Sequence, residues 1–486
     1  MKVLTDILQN IKILDQQGDV FLVVGGISVD SRKVKANDLF VAVRGTQTDG
    51  HGYIGNALQN GAVAVICEHL PETVVDDVTY IVVENSAVAL AQAAASFYDF
   101  PADKLKIIGI TGTNGKTTIA TLLYNMFNDL GIKSGLISTV AYRIGEKTIP
   151  ASHTTPDAVK LHELFARMVD EACVYCFMEV SSHAIDQKRV AGINFSGAVF
   201  TNLTHDHLDY HKDFKNYRDT KKRLFDDLNE NAFALINADD KNGRIMLQNT
   251  KAKKYTYSLK RAADYKTKII EAHLNSTLVE INGTEIWTLF TGAFNASNLT
   301  AVYAVADLSG IEKEQIATQI SKLKPVNGRF ETIQINDITG IVDYAHTPDA
   351  LENVLKTING VKSSNKQLIT VVGAGGDRDK TKRPVMAKVA VENSDKVILT
   401  SDNPRTEPPT NILDDMERGI IPAMQKKVLR ITDRKEAIKT ACLIANAGDI
   451  ILIAGKGHEN YQEINGKRFH FDDKEVFMEQ MKILDG

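Results

Sequence analysis

A run of small and polar residues, Gly112-Thr113-Asn114-Gly115-Lys116-Thr117-Thr118, lies between the apolar stretch Ile107–Ile110 and a helix-like segment, Thr117–Leu130. Glycines at such a place let backbone N–H groups approach a phosphate, Lys116 brings a point charge, and the Thr117 hydroxyl can ligate Mg²⁺. The run is a short form of the common phosphate loop, because Ile110 stands where its first glycine would be. Strand, glycine loop, Lys-Thr pair and helix in this order predict a nucleotide triphosphate site, with ATP as the expected nucleotide.

Other polar clusters follow apolar runs. Glu179 closes Tyr175–Val180, and a carboxylate there is costly without a partner. A Mg²⁺ ion bound to phosphate would be one partner, and a structural ion pair another. His205, His207 and His211 fall within seven residues and suggest zinc at first sight, although a hydrogen-bonded or surface histidine is the ordinary reading of each. Cys173 and Cys176 form a C-x-x-C with no second ligand pair at zinc spacing, so buried thiols in a reducing compartment are expected. Further along come Asp343-Tyr344-Ala345-His346-Thr347-Pro348, Gly373–Asp379, Ser401-Asp402-Asn403-Pro404-Arg405 and Gly455-Lys456-Gly457-His458-Glu459. Each alone passes for a polar turn. Four of them at four strand ends point to a cleft, and Asp402 with Arg405 suits a zwitterion: the acid for an ammonium, the guanidinium for a carboxylate.

The elements that must position these groups read as α/β throughout. Strand-like runs at Leu39–Val43, Ala62–Ile66 and Tyr80–Val83 precede a helix at Val88–Phe97 and a break at Phe100-Pro101. Runs at Ser134–Ser138, Gly197–Thr201 and Ala232–Asn237 continue the region of the glycine loop, and Gly340–Val342, Leu368–Val372, Lys396–Thr400 and Ile450–Ile453 make a third. Strands alternating with helices predict largely parallel sheets covered on both faces, with ligands at the strands' carboxyl ends. The 486 residues exceed one ordinary core, and three domains are expected at 1–100, 101–328 and 329–486. A net charge of −4 excludes a global basic field for nucleic acid or anionic lipid. No apolar run is long enough to span a bilayer and the start lacks a signal-peptide pattern, so a cytoplasmic chain is expected.

The combination T-G-T-N-G-K-T-T, E-V-S-S-H, D-Y-A-H-T-P, G-G-D-R-D and A-G-K-G-H-E resembles the Mur ligase family over essentially the whole chain. The resemblance implies a central P-loop-type ATP-binding domain between an N-terminal α/β domain for a UDP-sugar and a C-terminal Rossmann-like domain for an amino acid. It implies ATP contacts at Gly112–Thr118, Asn298, Arg329 and Asp343, and catalytic roles for Lys116, Glu179, His207 and Lys221. Mg²⁺ would be held by Thr117, Glu179, His207 and Lys221, the last as a carbamate; a lysine flanked by Lys222 and Arg223 otherwise reads as a solvated helix residue. The UDP-N-acetylmuramoyl-dipeptide would be bound by Val29, Ser31, Thr46, Gln47, Thr48, His153, Thr154, Thr155, Ser181, Gln187 and Arg189. Two sites depart from common family patterns: His153 replaces an asparagine, and Thr204-His205 replaces Ser-Arg before Asp206-His207.

An incoming amino acid would sit on Arg378, Asp402, Asn403, Pro404, Arg405, Gly455 and Glu459. Within the family the D-N-P-R run implies meso-diaminopimelate, since lysine-adding relatives usually lack its arginine. Lysine would leave Arg405 unpaired, which is how a polar site rejects an analogue. The expected reaction is therefore amide formation through an acyl phosphate, serving peptidoglycan synthesis, by a monomer. The rival readings are a lysine-adding ligase, a folylpolyglutamate synthase-like ligase, whose loop usually reads G-T-N-G-K-G, and a non-catalytic nucleotide-binding regulator.

Overall fold

The computed structural model describes residues 1–45 and 48–485. Three α/β regions follow one another along the chain, each built on its own sheet. The first sheet has five strands in the order Ile13–Gln17, Thr79–Val83, Ala62–Cys67, Asp38–Val41, Gly26–Ser28, all parallel except the first. The helix Ser86–Phe97 starts two residues ahead of the expected Val88, because the Asn85 side chain accepts from the Val88 N–H and caps it.

The central sheet has eleven strands. Its seven consecutive parallel members run Ser134–Ile137, Tyr175–Glu179, Lys106–Thr111, Phe195–Phe200, Phe233–Asn237, Lys253–Ser258, Tyr265–Ala272. Lys106–Thr111 lies in the middle, and its Ile107, Ile108 and Ile110 are wholly buried because helices cover both faces. One covering layer joins Lys116–Asp129 and Ala293–Leu308, and the other includes Ala158–Asp170 and Phe214–Asp226. Antiparallel strands extend the sheet at both ends: Ala141–Ile144 and Lys147–Pro150 on one side, Thr277–Ile281 and Thr284–Thr288 on the other. The expected parallel sheet is thus mixed at its edges. Its hairpins were hidden because half-exposed strands such as Tyr265–Ala272 are rich in charged residues and lack a continuous apolar run.

The third sheet orders its strands Glu331–Ile335, Ile338–Asp343, Ile450–Ala454, Leu368–Val372, Lys396–Leu399, Val428–Arg430, parallel except at the first. A separate antiparallel hairpin pairs Tyr461–Ile464 with Lys467–His470. All four cysteines are buried and unpaired by disulfide, Cys173 and Cys176 included. Among the described residues no helix is long and apolar enough to cross a membrane.

Candidate active site

Parallel strands deliver every carboxyl end to one edge of the sheet. Thr111, Glu179, Thr201 and Asn237, at or just beyond the ends of four central strands, therefore meet at the glycine loop. Glu179, Thr201 and Asn237 line a cavity of about 470 Å³ together with Gly112–Thr118, Thr154, Ser181, His207, Lys221, Asn298, Arg329 and Asp343. Sequence positions more than two hundred apart share this one space.

The loop is shaped to receive an anion. Gly112 has φ +148° and a Cβ there would lie 1.9 Å from Thr201 Oγ1; Gly115 has φ +87° and its Cβ would lie 2.6 Å from Asn298 Oδ1. Gly115 caps the helix Lys116–Asp129 without a side-chain hydrogen bond, leaving the helix N-terminus open. Lys116 Nζ folds back onto the carbonyls of Gly112 at 2.9 Å and Thr113 at 2.7 Å. Burial lowers its pKa, opposed by Glu179 and Asp206. Arg329 Nη2 donates to Thr117 Oγ1 at 3.1 Å, while its Nε is buried without a partner. An orphaned guanidinium N–H, an open helix end and a glycine cradle fit a nucleotide's phosphates.

Glu179 is 1 % exposed, and its carboxylate accepts from the Thr139 N–H at 2.8 Å and the Thr139 hydroxyl at 3.2 Å. Among the described residues no three His, Cys, Asp or Glu side chains are grouped to hold a metal by themselves, which speaks against the zinc reading. Mg²⁺ on nucleotide phosphates needs only one or two protein oxygens, and Glu179 and Thr117, both in the cavity wall, carry oxygens that could hold it. His207 sits in the left-handed region at φ +53°, opening the short helix Leu208–His211. Desolvation in the cleft lowers its pKa against the pull of Asp206.

Lys221 is not a solvated helix lysine. It is 1 % exposed, and its Nζ donates to Gly112 O at 3.0 Å and lies 4.9 Å from the Tyr217 ring centre. Burial, reinforced by Lys116, holds its pKa well below the ordinary lysine value. Its sequence neighbours misled because helix periodicity turns Lys221 and Lys222 inward while Arg223 faces out.

Beside the cleft, Thr155 Oγ1 donates to Glu179 O at 2.8 Å, and Arg189 Nη1 donates to Thr155 O at 2.7 Å. Arg189 also grips Gln187 Oε1 through Nε at 3.0 Å and Nη2 at 2.6 Å. His153, Thr154, Thr155, Ser181, Gln187 and Arg189 thus form one polar wall, within which His153 is tied through its backbone to the Tyr142 hydroxyl. Val29 is exposed and Ser31 buried in the N-terminal region, near the strand Gly26–Ser28; the Thr48 carbonyl accepts from Gly45 N–H. Thr46 and Gln47 lie outside the described residues.

The third sheet's strand ends carry the second group. Asp343 Oδ2 accepts from Phe330 N–H at 2.6 Å, and burial raises its pKa to about 6. The Gly455 N–H donates to Asp343 O at 3.0 Å, which ties this group to the cleft. Asn403 Nδ2 donates to Glu459 Oε2 at 2.7 Å, and Lys456 Nζ to Asn403 Oδ1 at 3.2 Å. Arg405 Nη1 donates to Gly376 O at 2.6 Å, beside Pro404, whose carbonyl a Cβ on Gly376 would strike. Arg378 is exposed, its Nη1 on the Asp377 carbonyl. Sequence reasoning passed over Tyr344, whose ring lies 4.4 Å from the Arg329 guanidinium, and Asp349, which accepts from Asn114 Nδ2 at 3.0 Å. Tyr344 lies within the D-Y-A-H-T-P turn and Asp349 directly follows it, so the turn itself was the available signal.

Fold and site together define an α/β protein with a nucleotide-phosphate cleft facing a second polar site on a third sheet. Comparison with known proteins narrows the class. The Mur ligase family catalytic domain matches residues 23–98, the Mur ligase middle domain residues 110–306, and the Mur ligase glutamate ligase domain residues 328–457. A UDP-N-acetylmuramoyl-L-alanyl-D-glutamate–2,6-diaminopimelate ligase of Phocaeicola vulgatus is 55 % identical over 97 % of this chain and 98 % of its own. One of the same name from Cytophaga hutchinsonii is 53 % identical over 99 % of both. A solved structure of a ligase with that name superposes with a TM-score of 0.69 at 34 % identity, covering 100 % of this chain and 99 % of its own. The chain belongs to the Mur ligase family.

Proposed function

We propose that this chain is an ATP-dependent ligase joining meso-2,6-diaminopimelate to the D-glutamate of UDP-N-acetylmuramoyl-L-alanyl-D-glutamate, in cytoplasmic peptidoglycan synthesis. The observation that carries the reading is the pairing of a phosphate cleft with Asp402, Asn403, Arg405 and Glu459 at the ends of the adjoining sheet's strands, joined through Asp343 and Gly455. The names of relatives covering nearly the full chain support the substrates. Boundaries near residues 100 and 328 are our division, supported by three sheets that share no strand.

In this reading the Gly112–Thr118 amides, Lys116 and Arg329 hold the ATP phosphates, with Asn298 and Asp343 on the nucleoside side. Val29, Ser31 and Thr46–Thr48 take the UDP end of the acceptor, and His153, Thr154, Thr155, Ser181, Gln187 and Arg189 its peptide. The γ-phosphoryl group passes to the D-glutamate side-chain carboxylate, giving ADP and an acyl phosphate. The diaminopimelate amine attacks the acyl carbon, the tetrahedral intermediate expels phosphate, and the amine's proton departs. Two anions must meet first, so catalysis is mainly positioning and charge neutralisation. Mg²⁺ held by Thr117, Glu179 and His207 would neutralise phosphate charge.

Lys221 belongs to this machinery as a carbamate. Burial disfavours the protonated form of Lys221, and its neutral amine would add to CO₂ and release a proton. The product would be an anion beside Lys116, whose charge disfavours a protonated Lys221, and it would add a ligand for Mg²⁺. Intact-mass spectra that never show one added CO₂ on Lys221 would remove this part alone.

Phosphate release from ATP tests the whole reading. With UDP-N-acetylmuramoyl-L-alanyl-D-glutamate present, release should require diaminopimelate. Release with lysine in its place would refute the amino acid, and silence with every amine would refute the ligase.

A further inference from the structure

The hairpin Tyr461–Ile464/Lys467–His470 was absent from the sequence reading, yet it is stitched to the Asp402–Arg405 turn. Gln462 Nε2 donates to Asp402 O at 2.7 Å, and Glu463 N–H donates to Asn403 Oδ1 at 2.9 Å. Arg405 N–H donates to Glu463 O at 3.0 Å, and Asn465 N–H donates to Arg405 O at 2.8 Å. These bonds hold Arg405 at φ +52°, a backbone that side-chain-bearing residues avoid. The backbone of residue 463 is thereby fixed next to Arg405.

The two side chains are close but unspent. Glu463 Oε2 lies 3.9 Å from Arg405 Nε, within ion-pair reach but too long for a hydrogen bond. They are 26 % and 21 % exposed respectively. Among the described residues the Glu463 carboxylate accepts no hydrogen bond, and Arg405 Nη2 donates none, its Nη1 being taken by Gly376 O. The neighbouring acids differ. Glu459 is engaged by Asn403 and Lys456, and Asp402 by the Asn403 N–H.

Resting on the function proposed above, which already gives Arg405 the far carboxylate, we infer that Glu463 is a further specificity residue, completing with Arg405 a clamp for the zwitterionic far end of the incoming amino acid. The guanidinium takes the far carboxylate, and the Glu463 carboxylate takes the far ammonium. Lysine offers this clamp only an ammonium and leaves Arg405 unpaired. L-2-aminopimelate offers only a carboxylate and leaves Glu463 unpaired. A half-buried charge left unpaired in the closed site costs enough to lower binding about tenfold.

Phosphate release by the full chain tests this, with ATP, Mg²⁺, the UDP-muramoyl-dipeptide and one of three amines. Release by the unaltered chain with diaminopimelate is measured first; its absence would refute the ligase reading and leave the clamp out of account. Given that release, the unaltered chain should favour diaminopimelate over L-2-aminopimelate about tenfold in kcat/KM. In Glu463→Gln that preference should collapse toward one through a higher KM for diaminopimelate, with KM for ATP unchanged as a sign of an intact fold. Glu463→Asp should retain most of the preference. If Glu463→Gln lowers kcat/KM equally for both amines, Glu463 only positions Arg405 and the clamp is overturned. A preference untouched by either variant overturns it as well.

Discussion

The glycine-loop cleft and the polar site on the third sheet are built on opposite principles. The cleft's anion cradle is main chain: glycines at 112 and 115, an uncapped helix end, and a lysine that folds onto loop carbonyls. The site on the third sheet is made largely of side chains, drawn from turns at 402–405, 455–459 and 462–465 and steadied by the Gly376 carbonyl. A backbone cradle binds what all its substrates share, a phosphate, and it is coded in one short run. A side-chain site can discriminate among similar molecules, at the cost of depending on distant residues for its geometry.

The largest expected effect would come from Lys116→Met. Removing the only loop cation should lower kcat by about a thousandfold with any amine, because charge on the transferring phosphoryl group loses its counter-ion. A mere rise in KM for ATP, with kcat preserved, would mean that the main chain alone stabilises the transition state. Next comes Arg405→Gln, expected to lower kcat/KM for diaminopimelate by about a hundredfold while leaving KM for ATP unchanged. Equal losses for ATP and diaminopimelate would break the separation of the two sites. Smaller again is Gln462→Ala, which removes the hairpin's hold on the Asp402 carbonyl; KM for diaminopimelate should rise about fivefold, near 1 kcal/mol.

A control lies outside both regions. His162, on the helix Ala158–Asp170, is 2 % exposed with neither ring nitrogen partnered, and burial lowers its pKa to about 4. Its folded pKa is below the unfolded value near 6.5, so the stability it permits is full above pH 6.5. That stability is lost as pH falls through 6.5 toward 4, at about 1.4 kcal/mol per pH unit. His162→Leu should flatten this acid limb and raise stability at pH 7 by about 1 kcal/mol, leaving both sites' kinetics alone. Urea unfolding at pH 7 and pH 5 measures it, and an unchanged difference between the two pH values would contradict the assignment.

Parts of the molecule were legible in the residues for clear reasons. Buried parallel strands are continuous apolar runs, so Lys106–Thr111, Tyr175–Glu179, Leu368–Val372 and Ile450–Ala454 stood out, as did the polar turns at their ends. Outlying strands did not, since Tyr265–Ala272 and Tyr461–Ile464 mix charged and apolar residues. The state of Lys221 was hidden as well, because desolvation is a property of the surroundings and not of the residue.

By itself the chain determined its α/β character, its phosphate loop and the residue types at each strand end, because these rest on local pattern and on covalent order. Only the tertiary structure decided which turns face one another. It buried Lys221 beneath the loop, drew Arg329 across to Thr117, and set Glu463 beside Arg405. Those pairings depend on how three sheets pack, and packing joins residues whose separation in sequence carries no signal of their contact.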